Sequence, residues 1–257
     1  GVLIGDVVGL GKTLMASALA RVFEDDFGLE TLIICPKNLI PMWEDHRDQY
    51  RLRGRVLSMS RVISALPDLR RYRLVILDES HNLRNREGKR YRAIQEYIRA
   101  NDSKVVLLSA TPYNKTYLDL ANQLRLFIEE QDDLGIRPEC LIREKGELEF
   151  GRLQVAPRSI GAFEKSGYAD DWRELMRLYL VRRTRSFIQD NDAIVDCTSC
   201  VQPIQATERK CSRCDKTRPK NGRRYLNFED GSRSYFPTRA PKTVKFKINN
   251  ADVSDQY

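Results

Sequence analysis

Short apolar runs alternate with amphipathic stretches through the first half of the chain. Residues 2–5, 31–35, 74–77 and 105–109 are almost wholly apolar, with a further short run at 56–60. Between them, apolar residues recur at helical spacing over 13–27, 39–50, 91–99 and 118–127, with Leu14, Ala18 and Val22 among the apolar positions of the first helix. Short buried strands alternating with helices predict a parallel sheet covered on both faces, an α/β fold. From 129 to 168 the periodicity is weak and charges, Gly and Pro are scattered, which predicts an irregular insert. Residues 170–184 read as an amphipathic helix carrying Trp172, Leu175, Leu178 and Tyr179. Alternating stretches at 225–228 and 244–248 read as strands. No apolar run approaches the ~20 residues that span a bilayer.

The junction after the first strand carries chemistry. Asp6-Val-Val-Gly-Leu-Gly-Lys-Thr13 follows a strand and opens a helix, the context a phosphate loop requires. Gly9 and Gly11 would let the backbone close around phosphate, with the helix N-terminus favouring an anion. Lys12 would reach the β- and γ-phosphates of ATP, and Thr13 would hold Mg²⁺. The competing reading is an ordinary Gly-rich strand-to-helix turn. One departure is Asp6, which stands where the general pattern has Gly.

Two further strand ends extend the pattern. Leu74-Val-Ile-Leu-Asp-Glu-Ser-His81 is an apolar strand closed by two acids. Parallel strands deliver ligands at their C-terminal ends, so Asp78 would hold Mg²⁺ and Glu79 would polarise the attacking water. Val105-Val-Leu-Leu-Ser-Ala-Thr-Pro112 ends in small hydroxyl residues. Ser109 and Thr111 would hydrogen-bond the acidic box and, with His81, relay its state. Alone, these read as an acidic strand-to-loop junction and a turn set by Pro112.

Composition changes the picture in two places. Hydrophobic residues are 41% and charged residues 31%, the balance of a folded chain, and the net charge is +8. From 181 to 257 there are 16 Lys and Arg against 9 Asp and Glu, so the basicity concentrates there. That favours a polyanionic partner, nucleic acid foremost, over a merely solvated surface. Four of the six cysteines form two pairs, Cys197-Thr-Ser-Cys200 and Cys211-Ser-Arg-Cys214. Each pair sets two thiolates on one knuckle, and two knuckles close a tetrahedral Zn²⁺ site. The ten intervening residues are fewer than the usual ribbon range, though a small β-hairpin would join them. Free thiols or a redox pair are the competing readings. Arg209, Lys210, Arg213, Lys216, Arg218 and Lys220 surround the knuckles, leaving open nucleic-acid contact or a purely structural staple. This is not the cysteine spread of a secreted disulfide scaffold, and a reducing cytoplasm is expected.

In order and spacing these motifs resemble helicase superfamily two, and within it the Swi/Snf-type DNA-dependent ATPases and their bacterial relatives. The Asp-x-x-Gly-Leu-Gly-Lys-Thr loop, Ile34-Cys-Pro36 at motif Ia, Asp-Glu-Ser-His and Ser-Ala-Thr-Pro run in the family's order over roughly residues 1–190. Asp6 in the first Gly position is usual in that family. Asn82-Leu-Arg-Asn85 resembles the trailer of its acidic box, and Val181-Arg-Arg-Thr-Arg185 its later basic stretch.

The resemblance implies the first RecA-like lobe of a two-lobe motor, with ATP between the lobes and arginine fingers from the second lobe. The second-lobe motifs and the segment that recognises adenine are expected outside this chain, which opens within a strand like a cut fragment. Pro36, Lys37 and Asn38 would approach the nucleic-acid backbone, DNA rather than RNA, and Ser58 to Arg61 would take the motif Ib place. The expected organisation is a motor lobe at 1–188, a zinc-ribbon-like insert at 189–224 and a β-rich segment at 225–257 leading toward the second lobe. The expected function is an ATP-driven translocase or remodeller on double-stranded DNA. The rival is a nucleic-acid or partner binding module with a zinc ribbon in which ATP acts as a switch. An unrelated P-loop kinase or GTPase would leave the Asp-Glu-Ser-His and Ser-Ala-Thr-Pro segments unexplained.

Overall fold

The apolar runs become strands of one parallel sheet. The computed structural model describes residues 1–6, 11–112, 116–220, 222–227 and 233–236. Gly9, the predicted strand at 244–248 and all of 237–257 lie outside the described residues. Strands β1 (Val2–Ile4), β2 (Thr31–Cys35), β3 (Gly54–Ser58), β4 (Leu74–Leu77), β5 (Lys104–Leu108) and β6 (Leu180–Val181) pair in the order β3-β2-β4-β5-β1-β6, all parallel. With helices on both faces, this is the expected RecA-like α/β lobe.

Successive side chains of a strand point to opposite faces, and here both faces are covered. Leu3, Leu32, Ile34, Val75, Leu77, Val105 and Leu107 enter one core; Ile4, Ile33, Cys35, Leu74, Ile76, Val106 and Leu108 enter the other. The second face packs α1 (Lys12–Phe27) and α2 (Ile40–Gln49) through Ala16, Ala20 and Trp43. The first face packs α3 (Val62–Ala65), α4 (Lys89–Asn101), α5 (Leu118–Leu124) and, after α6 (Glu139–Lys145) and α7 (Glu147–Gly151), α8 (Ile160–Glu164) and α9 (Ala169–Tyr179). Gly54 permits the closest approach of β3 to β2, since a Cβ there would meet the Thr31 carbonyl oxygen at 2.1 Å.

Three expectations are corrected. In α1 the buried positions are Ala16, Ser17, Ala20 and Glu24, whereas Leu14 and Val22 are 45% and 51% exposed. Small residues let the helix lie close to the sheet, and Glu24 turns inward to accept from the Arg53 backbone and guanidinium at 2.8 Å each. The helix expected to run to Thr184 stops at Tyr179, because Leu180 and Val181 instead pair with Leu3 and Ile4 of β1; Leu178 is exposed. The stretch at 129–168 contains three short helices around a small core of Leu141, Ile142, Phe150 and Ala162.

That subregion is fastened by one carboxylate. Buried Asp171 accepts the backbone N–H groups of Cys140 and Leu141 at 2.8 and 3.1 Å, and the Ser166 hydroxyl at 2.6 Å. It thereby caps α6 from α9.

A division of the chain falls between Arg185 and Ser186. The second unit contains most of α10 (Arg185–Asn191) and an antiparallel sheet of β7 (Ile194–Asp196), β8 (Pro203–Ile204), β9 (Arg224–Asn227) and β10 (Arg233–Tyr235), in the order β10-β9-β7-β8. Its centre is fully buried Tyr225, whose hydroxyl donates to Asp196 Oδ1 at 2.6 Å. Among the described residues no helix is long and apolar enough to cross a membrane.

Asp171→Ala strands the buried Leu141 N–H, the part-buried Cys140 N–H and the Ser166 hydroxyl, and should destabilise the first unit by about 2–3 kcal/mol. Denaturant unfolding monitored by tryptophan fluorescence checks this, Trp172 being the adjacent reporter.

Candidate nucleotide site and four-cysteine cluster

The backbone ladder continues past the ends of the strands and aligns the first residues of the loops. Asp78 N–H donates to the Ile34 carbonyl at 2.9 Å, Ser109 N–H to Ile4 at 3.1 Å and Met59 N–H to Cys35 at 2.7 Å. One sheet edge therefore carries, in spatial order, Ser58, Pro36, Asp78, Ser109 and Asp6. Segments scattered over more than a hundred residues of sequence become neighbours by parallel pairing alone.

Gly11 adopts φ 77°, a left-handed turn that only glycine enters freely, and α1 starts at Lys12. Lys12 Nζ donates to the Asp6 backbone carbonyl at 2.8 Å. Thr13 is half-buried in the first turn. The Asp6 carboxylate is fully buried. Arg183 pairs with it: its backbone N–H reaches Oδ1 at 2.5 Å, while Nε and Nη2 reach Oδ2 at 3.0 and 2.7 Å. Two features that stand apart in the sequence, the Asp in a Gly position and the basic stretch after β6, form one fork-like ion pair.

The acidic box turns tightly after β4. Buried Asp78 accepts the Trp43 indole N–H at Oδ2 (2.8 Å) and the Glu79 N–H at Oδ1 (2.9 Å). Glu79 sits at φ 51°, a left-handed conformation that costs about 1–3 kcal/mol in a residue with a side chain. Its carboxylate lies 3.0 Å from His81 Nδ1, which is 3.4 Å from the Ser109 hydroxyl. Ser109 Oγ in turn accepts the Thr111 N–H at 3.2 Å. Thr111 reaches the box through Arg84, whose Nη2 donates to the Thr111 carbonyl and lies 3.4 Å from its hydroxyl. Pro36 is half-buried while Lys37 and Asn38 are exposed in a 3-10 turn over Lys37–Leu39. Among the expected site residues, then, Lys12, Asp78, Glu79, His81 and Ser109 gather at one edge, Thr111 joins through Arg84, and Gly9 is outside the described residues.

Sequence reasoning does not pick out Trp43, Arg84 and Arg183 as site residues. Trp43, a large aromatic directly before the polar run Glu44-Asp-His46, is the available signal for a special partner. Arg183 has one too: a buried acid at Asp6 requires a cation.

In the second unit the four cysteine sulfurs lie within 4.8 Å of one another. Cys197–Cys214 and Cys200–Cys211 are 3.4 Å apart and Cys200–Cys214 3.6 Å. A tetrahedral tetrathiolate with metal–sulfur bonds of ~2.3 Å has sulfurs ~3.8 Å apart. The two knuckles are near-copies. Cys197 N–H donates to Gln202 O and Cys211 N–H to Lys216 O, both at 2.8 Å; Val201 N–H and Asp215 N–H return to Cys197 and Cys211 at 3.0 and 2.9 Å. Val201 and Asp215 both take left-handed φ, 58° and 59°. For a β-branched residue that is an outlier, and Val201 is 72% exposed with no core burial to hold it there. The turn instead points backbone N–H groups at sulfur. Those of Ser199 and Cys200 hold the Cys197 thiol down to about 6, and those of Arg213 and Cys214 lower Cys211. Thiols so arranged fit a thiophilic divalent cation. Cys35, by contrast, is buried, and burial with the nearby Asp78 and Glu44 charges pushes its thiol up to about 12.

Known proteins bear on this geometry. The DEAD/DEAH box helicase family matches residues 49–120. A SWI/SNF-related matrix-associated actin-dependent regulator of chromatin subfamily A-like protein 1 homolog from Caenorhabditis elegans is 26% identical over 149 residues, 49% of this chain and 21% of that protein. The matches support a Swi/Snf-type first lobe of helicase superfamily two. The chain spans about a fifth of the length of that curated relative. Among solved structures, the Sulfolobus solfataricus SWI2/SNF2 ATPase core in complex with dsDNA has a TM-score of 0.49 at 18% identity over 72% of this chain and 40% of its own. The Pyrococcus furiosus Hef helicase domain has a TM-score of 0.42 at 18% identity over 49% of this chain and 33% of its own.

Removing one partner of a buried ion pair leaves an uncompensated charge. Arg183→Ala should destabilise the lobe by about 3 kcal/mol, the low end of the range because Arg183 is partly exposed. Adding Asp6→Asn should recover part of that loss. Equilibrium unfolding of the two single variants and the double variant measures the coupling.

Proposed function

We propose that this lobe is the ATP-binding half of a nucleic-acid-dependent motor ATPase that translocates on, or remodels, double-stranded DNA or protein–DNA complexes. The observation that carries the reading is the convergence of Lys12, Asp78, Glu79, His81 and Ser109 on the C-terminal edge of one parallel sheet. Lys12 and Thr13 at the start of α1 bind the phosphates and Mg²⁺ of ATP, together with the Gly9–Gly11 loop. Asp78 faces the same metal. Glu79, held beside His81, orients and polarises the attacking water. Ser109 and Thr111 pass the state of the acidic box to the strand end after β5. Lys37 and Asn38, exposed beyond β2 with Pro36, contact the nucleic-acid backbone.

A second RecA-like lobe completes the site, supplying arginine fingers worth about 10³–10⁵ in rate in related phosphoryl transfers. Residues 1–257 alone should therefore turn ATP over very slowly. The four-cysteine cluster holds one structural Zn²⁺, closed by four sulfurs and so without a position for a catalytic water. Exposed Arg209, Lys210, Arg213 and Lys216 around the second knuckle offer a surface of the sign that nucleic acid requires.

Turnover separates a motor from an ATP-operated binding module. In the full-length protein, Glu79→Gln should retain Mg-ATP affinity and lose at least about 100-fold in DNA-stimulated hydrolysis, the contribution of a positioned general base. A wild-type protein that binds ATP and shows no turnover with DNA favours the binding module.

Structural zinc contributes folding energy directly, and chelation removes it. Elemental analysis should find one zinc per chain. A strong chelator should unfold the second unit, seen as lost β signal in circular dichroism, while nucleotide affinity changes little.

A further inference from the structure

Gln123 lies on α5, outside every motif, and is fully buried. A buried carboxamide is costly unless both ends are paired. Its Oε1 accepts the Ser80 hydroxyl at 2.8 Å. Its Nε2 donates to the Asp119 carbonyl one turn back at 2.9 Å, and also to the Pro112 carbonyl. Ser80 is itself fully buried and sits between Glu79 and His81. Pro112 closes the Ser-Ala-Thr-Pro strand end. One side chain thus spans the acidic box and the third motif.

The neighbouring residue repeats the tie. Asn122 Nδ2 donates to the Arg84 carbonyl at 2.7 Å, the Tyr91 hydroxyl donates to the Asn122 carbonyl at 2.7 Å, and the Arg84 guanidinium holds Thr111. Around Gln123, Leu120, Ala121 and Leu124 are buried and apolar. A leucine there would fill the space but strand the buried Ser80 hydroxyl and the Pro112 carbonyl, so core filling alone does not account for the amide. The strained Glu79 backbone does, because such a conformation persists where the surroundings over-determine it. On one side Glu79 is fixed by Asp78, through its own N–H; on the other the fixed point is Ser80, held by Gln123.

We propose that Gln123 is a positioning residue: its carboxamide holds the water-activating Glu79 in register with the strand end at Ser109–Pro112. This rests on the role given to Glu79 above. When the strand end shifts, the amide carries the shift to Ser80 and thence to Glu79.

The test is steady-state ATPase of the full-length protein with saturating double-stranded DNA, across a pH series, for wild type, Gln123→Met and Gln123→Glu. Thermal melting reports folding. Gln123→Met should lose kcat by about 10–100-fold, the effect of misplacing a reacting group by roughly an ångström, with KM for ATP within about twofold. Gln123→Glu separates the two arms. Ionised, it keeps an acceptor for Ser80 but turns a negative oxygen on the Pro112 and Asp119 carbonyls. Protonated, it regains one donor, enough to bond the Pro112 carbonyl again while still accepting from Ser80. Its kcat relative to wild type should therefore rise as pH falls, whereas the ratio for Gln123→Met stays flat.

Ser80→Ala removes the opposite partner with little volume change, which keeps the test open if Gln123→Met folds poorly. It should reproduce the kcat loss and add little on top of Gln123→Met. Wild-type kcat in the Gln123 variants, a rise in KM alone, or a pH-flat ratio for Gln123→Glu overturns the proposal. A wild type without DNA-stimulated turnover overturns the reading of Glu79, and the positioning role with it.

Discussion

Parallel hydrogen bonding between β1, β5, β4 and β2 is the constraint on which the rest of the lobe depends. Ladder bonds that continue to Asp78, Ser109 and Met59 bring residues 6, 36, 58, 78 and 109 to one edge. Parallel sheets need both faces covered, and alternation of the strand side chains into two separate cores meets that need. The edge is therefore rigid where it carries polar groups. A slip of one residue in β4 would exchange its two buried faces and move Asp78 off the edge.

Above this scaffold, a small set of buried polar groups fixes the loops. Asp6 is held by Arg183, Asp78 by Trp43, Ser80 by Gln123. Trp43 and Gln123 lie outside the recognisable motifs and Arg183 in the basic stretch that follows them, and each motif residue has a partner for the oxygen it hides from water. The left-handed backbone of Glu79 and the hydrogen bond from Lys12 to the Asp6 carbonyl are held within this frame. The knuckle unit solves a different problem. It has little apolar material, and its two copied turns aim backbone N–H groups at sulfur, an arrangement fit for a metal ion to supplement a small core.

Much of this is legible in the sequence, for a physical reason. Phosphate loops, paired acids after an apolar strand and doubled CxxC pairs are local patterns whose chemistry demands particular residues at short spacing. The features that escape a sequence reading depend on topology. Trp43 meets Asp78 across 35 residues and Arg183 meets Asp6 across 177, distances no local pattern spans. The apolar stripe of α1 misleads because Leu14 and Val22 look like core residues, while the helix sits close to the sheet on Ala16 and Ala20. The two-residue strand β6 merges in the sequence with the helix before it, since Leu180 and Val181 fit either period until β1 is there to pair with.

The central claim is that this edge is a nucleotide site with Lys12 as its phosphate ligand. A crystal structure with Mg²⁺ and a non-hydrolysable ATP analogue tests it most directly. Lys12 Nζ should leave the Asp6 carbonyl, on which it rests at 2.8 Å, and move to the β- and γ-phosphates, with Thr13 and Asp78 flanking the metal. Nucleotide bound elsewhere, or a Lys12 that stays on Asp6 while the metal lies away from Asp78, would contradict the account.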